Sequence, residues 1–285
     1  MKTQIFKISH KDIVNHSFNL GLFYHKYLPL SKKEQNEIFK NGRPSGLAND
    51  GVEKADVLHG VVRLSQKIEK KILQRRLDVL KKLPEIQTLK MVTTSRLLCG
   101  VGYQHRIEWG LSLDWTTGYP YIPGSSWKGA MLSYLEFLAG KPVEKWAKND
   151  QVKLETGKVF NKYQVIDIFG PQGNAITKPS QGQVMFLDAY PEPESFPGLE
   201  LDIITPHYMP YYTSEGKNPP ADIYNPVPQP FLTVPENTVF LFQFVSLTKN
   251  ASKYITDLKT LIQETGQNHG FGAKTATGYG YFRPI

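Results

Sequence analysis

Apolar residues recur at near-helical spacing along "GVVRLSQKIEKKILQRRLDVLKKLP": Val61, Leu64, Ile68, Ile72, Leu77, Leu80 and Leu83, with Pro84 closing the run. The pattern predicts one amphipathic helix. Its other faces carry Arg63, Lys67, Lys70, Lys71, Arg75, Arg76, Lys81 and Lys82, and both a solvated face and a surface for RNA or a partner subunit fit that charge. The preceding "SKKEQNEIFKNGRPSGLANDG" is polar and rich in turn residues, which predicts a mobile loop. Residues 1–88 as a whole read as a mostly helical extension.

The texture changes after Pro84. "LKMVTTSRLLCG" reads as a strand with Met91, Thr93, Ser95 and Leu97 on one face. A Gly- and aromatic-rich loop follows. In "PYIPGSSWKGAMLSYLEFLAG", Trp127, Met131, Tyr134, Leu135 and Leu138 form a helical stripe that starts at the "PGSS" turn. "GQVMFLDAYP" and "LELDIITPHY" read as strands, the second leading into a long Pro- and Tyr-rich excursion. "TVFLFQFVSL" is apolar on both faces, hence a central, covered strand. "SKYITDLKTLIQETG" is a helix with Tyr254, Leu258, Leu261 and Ile262 inward, and "TGYGYFRPI" is a last strand. From residue 89 the order is β-α-β-β-α-β, the ferredoxin-like order, with an insertion at about 199–237 between core strands. The predicted fold class is α+β.

At 285 residues and 40% hydrophobic, the chain can build a packed core of one large or two ordinary domains. Its net charge of +8 favours polyanions, nucleic acid first. Cys99 is the lone cysteine, so no intrachain disulfide forms and a reducing compartment is expected. The start "MKTQIFKISHKDIV" has no signal-peptide apolar region, and the longest apolar run is too short for a bilayer. A soluble cytoplasmic protein with no membrane partner is the expectation.

Two stretches place small residues beside a cation. In "IPGSSWKGA", Pro123 and Gly124 turn the chain, and Ser125 or Ser126 can cap the helix. Its first turn carries Lys128 and no carboxylate, against the helix dipole. Either Lys128 snorkels away or an anion docks at the N–H groups with Lys128 closing on it. Ser125 and Lys128 also match Ser-x-x-Lys, but the Lys-Thr-Gly and Ser-Asp-Asn elements of the serine acyl enzymes are missing. In "HGFGAKTATGYGYF", Gly270, Gly272, Gly278 and Gly280 bracket Lys274 and Thr275. This is neither a Walker A loop nor a dinucleotide fingerprint. It reads either as a tight structural turn or as an anion nest suited to a phosphodiester backbone.

The histidines (10, 16, 25, 59, 105, 207 and 269) lack metal-ligand spacing, and Cys99 has no partner cysteine, so no metal and no cofactor are expected. His105, next to Arg106, or His269, next to the glycine loop, could serve as a general acid or base, although RNA contact is the commoner role. Asp114 reads as a structural cap rather than a metal ligand. Tyr208, Tyr211, Tyr212 and Tyr224 stand among prolines, on an arm that can stack on bases or pack under a loop.

With these elements in hand, "GFGAKTATGYG" resembles the glycine-rich C-terminal signature of the RAMP superfamily of CRISPR proteins, and "YIPGSSWKGAM" resembles its helix-start motif. "LDIITPHYMPYY" with "PPADIYNPVPQPFLTV", and the start "NLGLFYHKYLPL", are similar to one subfamily, the sixth RAMP subunits of type III-B (Cmr) effector complexes. The resemblance implies a ferredoxin-like (RRM-like) core and a place at the end of a multisubunit complex that holds the 3′ part of the guide RNA. It implies a structural, RNA-binding subunit with no catalytic residue, target cleavage belonging to the repeated backbone RAMP subunit. Guide RNA, target RNA and other Cmr subunits, including that backbone subunit, are the implied partners.

Carried over to this chain, Gly270, Gly272, Lys274, Thr275, Gly278 and Gly280 form the glycine loop, and Gly124, Ser125, Ser126 and Lys128 the helix-start anion site. His105, Arg106, His207, Tyr208, Tyr211 and Tyr212 are candidate contacts to RNA or a neighbouring subunit. The alternatives are a CRISPR-RNA-processing endoribonuclease of the same superfamily, using His105 or His269, and a protein-binding scaffold that docks through the basic helix.

Overall fold

Strand β8 (Val239–Ser246) is buried along almost its whole length because neighbours flank both of its edges. In the computed structural model, which describes residues 19–27, 54–102, 105, 109–171, 181–221, 223–226 and 228–285, β8 pairs with β1 (Ile86–Thr93) from Ile86↔Val245 to Val92↔Val239. The expected loop at 31–51, Arg106, His10 and His16 lie outside the described residues. On the outer side of β1 lies β9 (Phe282–Pro284). On the other side of β8 lie β4 (Val184–Phe186) and β5 (Tyr190–Pro191). The five-stranded sheet runs β4–β8–β1–β9, with β5 also on β8, and every pairing is antiparallel.

The single strand expected over "GQVMFLDAYP" is two short ones. Phe186 faces Phe244 and Tyr190 faces Leu241, so residues 187–189 oppose only 242 and 243. That one extra residue is a bulge, and it places Asp188 against Gly124, at the start of an earlier helix. Strand β1 also begins earlier than expected and ends at Thr93; beyond it Leu97 makes only an isolated bridge to Val234.

Helix α3 (Gly124–Ala139) and helix α5 (Ile255–Asn268) pack together on the sheet face that shows Phe240, Phe242 and Phe244. Trp127, Met131, Tyr134 and Leu135 of α3 are buried, as the spacing predicted, but Leu138 is 39% exposed near the helix end. Trp127 meets Phe242 edge-on at 5.4 Å, which joins α3 to the centre of the sheet. Residues 151–169, unassigned from the pattern, form the hairpin β2 (Gln151–Lys153) and β3 (Val159–Asn161) and then helix α4 (Lys162–Phe169). Asn161 and Gln164 form a reciprocal capping box at its start, a local signal that was legible.

The long basic helix is broken. Helix α1 (Lys54–Ser65) and helix α2 (Lys70–Leu80) are separate. The Ser65 hydroxyl donates to Val62 O at 2.6 Å and accepts the Leu199 N–H at 2.7 Å, so a cross-chain contact ends α1. Gly198 (φ +117°) lets that segment press on the corner; a Cβ there would lie 2.7 Å from Gln66 Cγ. Residues 200–233 then form a second sheet, β6 (Glu200–Ile204) with β7 (Gln229–Thr233), against which α1 packs.

Candidate nucleic-acid interface

The glycine loop begins where α5 ends. Gly270 (φ +80°) returns its N–H to Thr265 O at 2.7 Å and closes the helix. Phe271 then drops into the core against Phe242 (5.0 Å) and Phe282 (5.7 Å). Its N–H donates to Gly280 O at 2.8 Å, which closes the loop upon itself. Gly280 N–H donates to Arg96 O and Ala273 N–H to Leu98 O, so the base is stitched to the segment after β1. A Cβ at Gly280 would stand 2.0 Å from Phe271 O, and one at Gly272 2.5 Å from Leu98 O. Packing of the chain on itself therefore accounts for these two glycines, whereas Gly278 (φ +95°) faces open space.

The rim of the loop is different. Lys274 sits in the left-handed region (φ +59°) and heads the single turn Thr275–Thr277. Among the described residues, the N–H groups of Gly272, Lys274, Thr275 and Ala276 find no acceptor. Four open donors and a cation make an anion-binding rim. Lys274 Nζ lies 4.7 Å from the centre of the Trp109 ring. Trp109 is held by its indole N–H on Gln229 Oε1 (3.2 Å). Tyr279 donates to Asp202 Oδ2 at 2.7 Å and Arg96 to the same oxygen at 3.1 Å, which locks the base of β6–β7 to the loop. Burial and then Asp202 push the Tyr279 hydroxyl up to about 12, so it stays a donor. The structure thus joins the glycine loop to Arg96, Trp109 and Asp202, whose places in the chain are too distant for any local motif to link.

The start of α3 is answered internally. Its N-cap is Pro123, with no side-chain cap, and Ser125 and Ser126 lie exposed within the first turn rather than capping it. Gly124 N–H donates instead to Asp188 Oδ1 at 2.9 Å. The bulge thereby brings to the helix end the carboxylate that the local sequence lacks. Gly124 is needed because a Cβ would meet Phe186 O at 2.3 Å. Lys128 lies over Phe186, 5.9 Å from the ring centre, and burial lowers its pKa. The helix start and the glycine loop are not brought together: Phe186 belongs to one edge of the sheet, and the loop feeds β9 at the other.

His25, His105 and His269 hold packed positions. His105 stacks on Tyr24 at 4.1 Å with Nε2 3.2 Å from Tyr24 O, and His25 stacks on Trp115 at 4.4 Å. His269 lies beside Tyr134 and Phe137, and burial lowers its pKa. On the arm His207 is exposed, Tyr208 is half-buried, and Tyr211 and Tyr212 touch edge to face, the latter 64% exposed. Asp114 has the structural role read for it: it accepts from Thr116, Thr117, Tyr190 and Arg76. Cys99 is buried, and burial pushes its thiol up to about 12. Among the described residues no group of three His, Cys, Asp or Glu side chains could hold a metal, and no helix is long and apolar enough to cross a membrane.

The sequence model of the RAMP superfamily matches residues 90–283. CRISPR system Cmr subunit Cmr6 of Pyrococcus furiosus is 33% identical over 93% of this chain and 94% of its own length. This chain belongs to the Cmr6 family of RAMP proteins. CRISPR system CMR subunit Cmr6 of Saccharolobus solfataricus is 28% identical over 81% of this chain and 69% of its own length. Among solved structures, a chain in a cryo-EM structure of the type III-B Cmr-beta bound to cognate target RNA has the same fold, with a TM-score of 0.56 at 22% identity over 94% of this chain and 91% of that one.

Proposed function

We propose that this chain is a non-catalytic, RNA-binding subunit of a type III-B CRISPR effector complex, contacting the guide RNA near its 3′ end and helping to hold the guide–target duplex. Membership of the Cmr6 family across nearly the whole chain carries the reading. The open rim of the glycine loop supports it, because free N–H groups and a lysine over an indole suit a phosphodiester backbone with a stacked base. The exposed tyrosines of the arm would reach duplex or a neighbouring subunit. We read the core as ferredoxin-like: β1, α3, β4 with β5, β8, α5 and β9 in chain order, with β1 and β8 central, support that assignment. The backbone RAMP subunit, guide RNA and target RNA are the partners, in the cytoplasm.

The processing-ribonuclease alternative fares worse. His105 is stacked and turned to a backbone oxygen, and His269 sits among aromatic rings with burial favouring its neutral form. The test is to tag the chain in its native host, purify it at moderate salt, and identify the RNA and proteins retained. Short RNAs sharing one repeat-derived end, together with other RAMP subunits, are expected. Cleaved repeat RNA without those subunits would support the ribonuclease, and the absence of RNA would leave the glycine loop a structural turn.

A further inference from the structure

Helix α2 uses its cations in two ways. Lys70 pairs with Glu194 (2.6 Å), Arg76 with Asp114 (2.9 Å), and Lys81, just past the helix, with Asp78 (3.1 Å). Lys67, Lys71 and Arg75 form no ion pair with a carboxylate among the described residues, and Lys82 acts on Asp78 only through its field. Leu73 and Leu77 point into the core. Lys71, Arg75 and Val79 follow one another at four-residue spacing on the opposite side, forming a single ridge. Val79 is 63% exposed, and Ile72, two turns earlier on the same side of the helix, is 39% exposed. Asp78 is the carboxylate next to this ridge, and it is occupied by Lys81 and by Gln74 (2.8 Å).

We propose that this outward face of α2 docks an acidic protein surface, one in which carboxylates surround an aliphatic pocket for Val79. The unpaired cations set the sign of the partner. Val79 and Ile72 set its class. A phosphate backbone gains nothing from an aliphatic side chain among the lysines, whereas a protein surface buries it. The surface goes beyond the RNA site, since the partners of α2's paired cations, Glu194, Asp114 and Tyr190, lie outside the glycine loop.

The experiment is photo-crosslinking in the assembled particle. A Val79→benzoylphenylalanine chain is expressed in the native host, the particle is purified and irradiated, and cross-linked peptides are sequenced. The expected product joins residue 79 to an Asp- or Glu-rich peptide of another subunit. A Lys71→Glu, Arg75→Glu chain should then be incorporated roughly tenfold less well. Reversing the charges of the cross-linked peptide should restore it, with the melting temperature of the isolated chain unchanged throughout. Cross-links to RNA, to a basic peptide or to a second copy of this chain overturn the proposal. So does the absence of any cross-link from a chain that has entered the particle. If the unsubstituted chain enters no particle, this proposal and the effector reading fall together; if it enters one without RNA, only the RNA reading falls.

Discussion

At the start of α3 the protein answers its own helix end: Gly124 N–H reaches Asp188, and the carboxylate already stands at the positive pole. At the glycine loop it does not. The N–H groups of Gly272, Lys274, Thr275 and Ala276 find no acceptor among the described residues, and Lys274 lies over the Trp109 ring. Both regions have glycine, small residues and one lysine. They differ in what the incoming carboxylate meets: Asp188 takes a backbone N–H at the helix start, whereas Asp202 reaches the loop only through the Tyr279 hydroxyl. An anion arriving at α3 must contend with Asp188; one arriving at the loop meets donors that have only water to lose. Under the proposed function, this difference ranks the loop as the main phosphate contact and the helix start as the lesser one.

The sharpest way to break the loop is at its base. Gly280→Ala places a Cβ 2.0 Å from Phe271 O at a φ of +75°. It should cost at least about 3 kcal/mol, enough to threaten folding of the core half of the chain. Gly278→Ala has the same unfavourable φ but open space, and should cost only about 1 kcal/mol. Denaturant unfolding of the two variants separates the base, where glycine is required by packing, from the rim. Equal losses would refute that division.

Asp114 offers a fully satisfied carboxylate to set beside Asp188. Burial pushes its pKa up, but bonds from Thr116, Thr117 and Tyr190 outweigh this and hold it at about 2. Because the folded value lies below the unfolded one, its stabilisation is complete above about pH 4 and fades as pH falls toward 2. The side chain is only 12% exposed, so the linkage is little screened and amounts to about 2 kcal/mol. Unfolding measured from pH 6 to pH 2 should show this loss, and Asp114→Asn should remove that part of the slope. An unchanged slope would mean that other carboxylates govern acid unfolding.

The next effect concerns RNA. Lys274→Ala should weaken binding roughly tenfold across all sequences and lower the salt slope by about 1, measured in the assembled particle by titration at several salt concentrations. Lys128→Ala should do less. A larger loss at Lys128 than at Lys274 would invert the ranking.

Much of the scaffold was legible because its signals are local. The two-sided apolar run of β8, the stripe of α3 and the inward face of α5 each follow from spacing alone. The glycine loop was legible as a motif. What stayed hidden depends on distant parts of the chain meeting. Asp188 reaches Gly124 only because a bulge in the edge strand re-aims it. Trp109 reaches Lys274, and Leu199 ends α1 at Ser65, through contacts that no window of sequence contains. Leu138 obeys the periodicity of α3 yet is 39% exposed.

The smallest expected effect is also the most direct probe of the comparison. Asp188→Asn keeps an oxygen that can accept the Gly124 N–H, so α3 should still start in place, with a cost of about 1 kcal/mol at most from the lost charge at the helix dipole. Removing one negative charge from the pole of α3 should strengthen RNA binding about two- to threefold and steepen the salt dependence, if the backbone passes that helix at all. The gain should vanish in the Lys128→Ala background, because the same phosphate would be shared between the helix end and the lysine. If Asp188→Asn leaves affinity and salt dependence as they were, no phosphate comes near the start of α3. Its lysine and small residues would then serve the packing of Gly124 beneath Phe186, and the RNA would be held by the glycine loop and its aromatic neighbours alone.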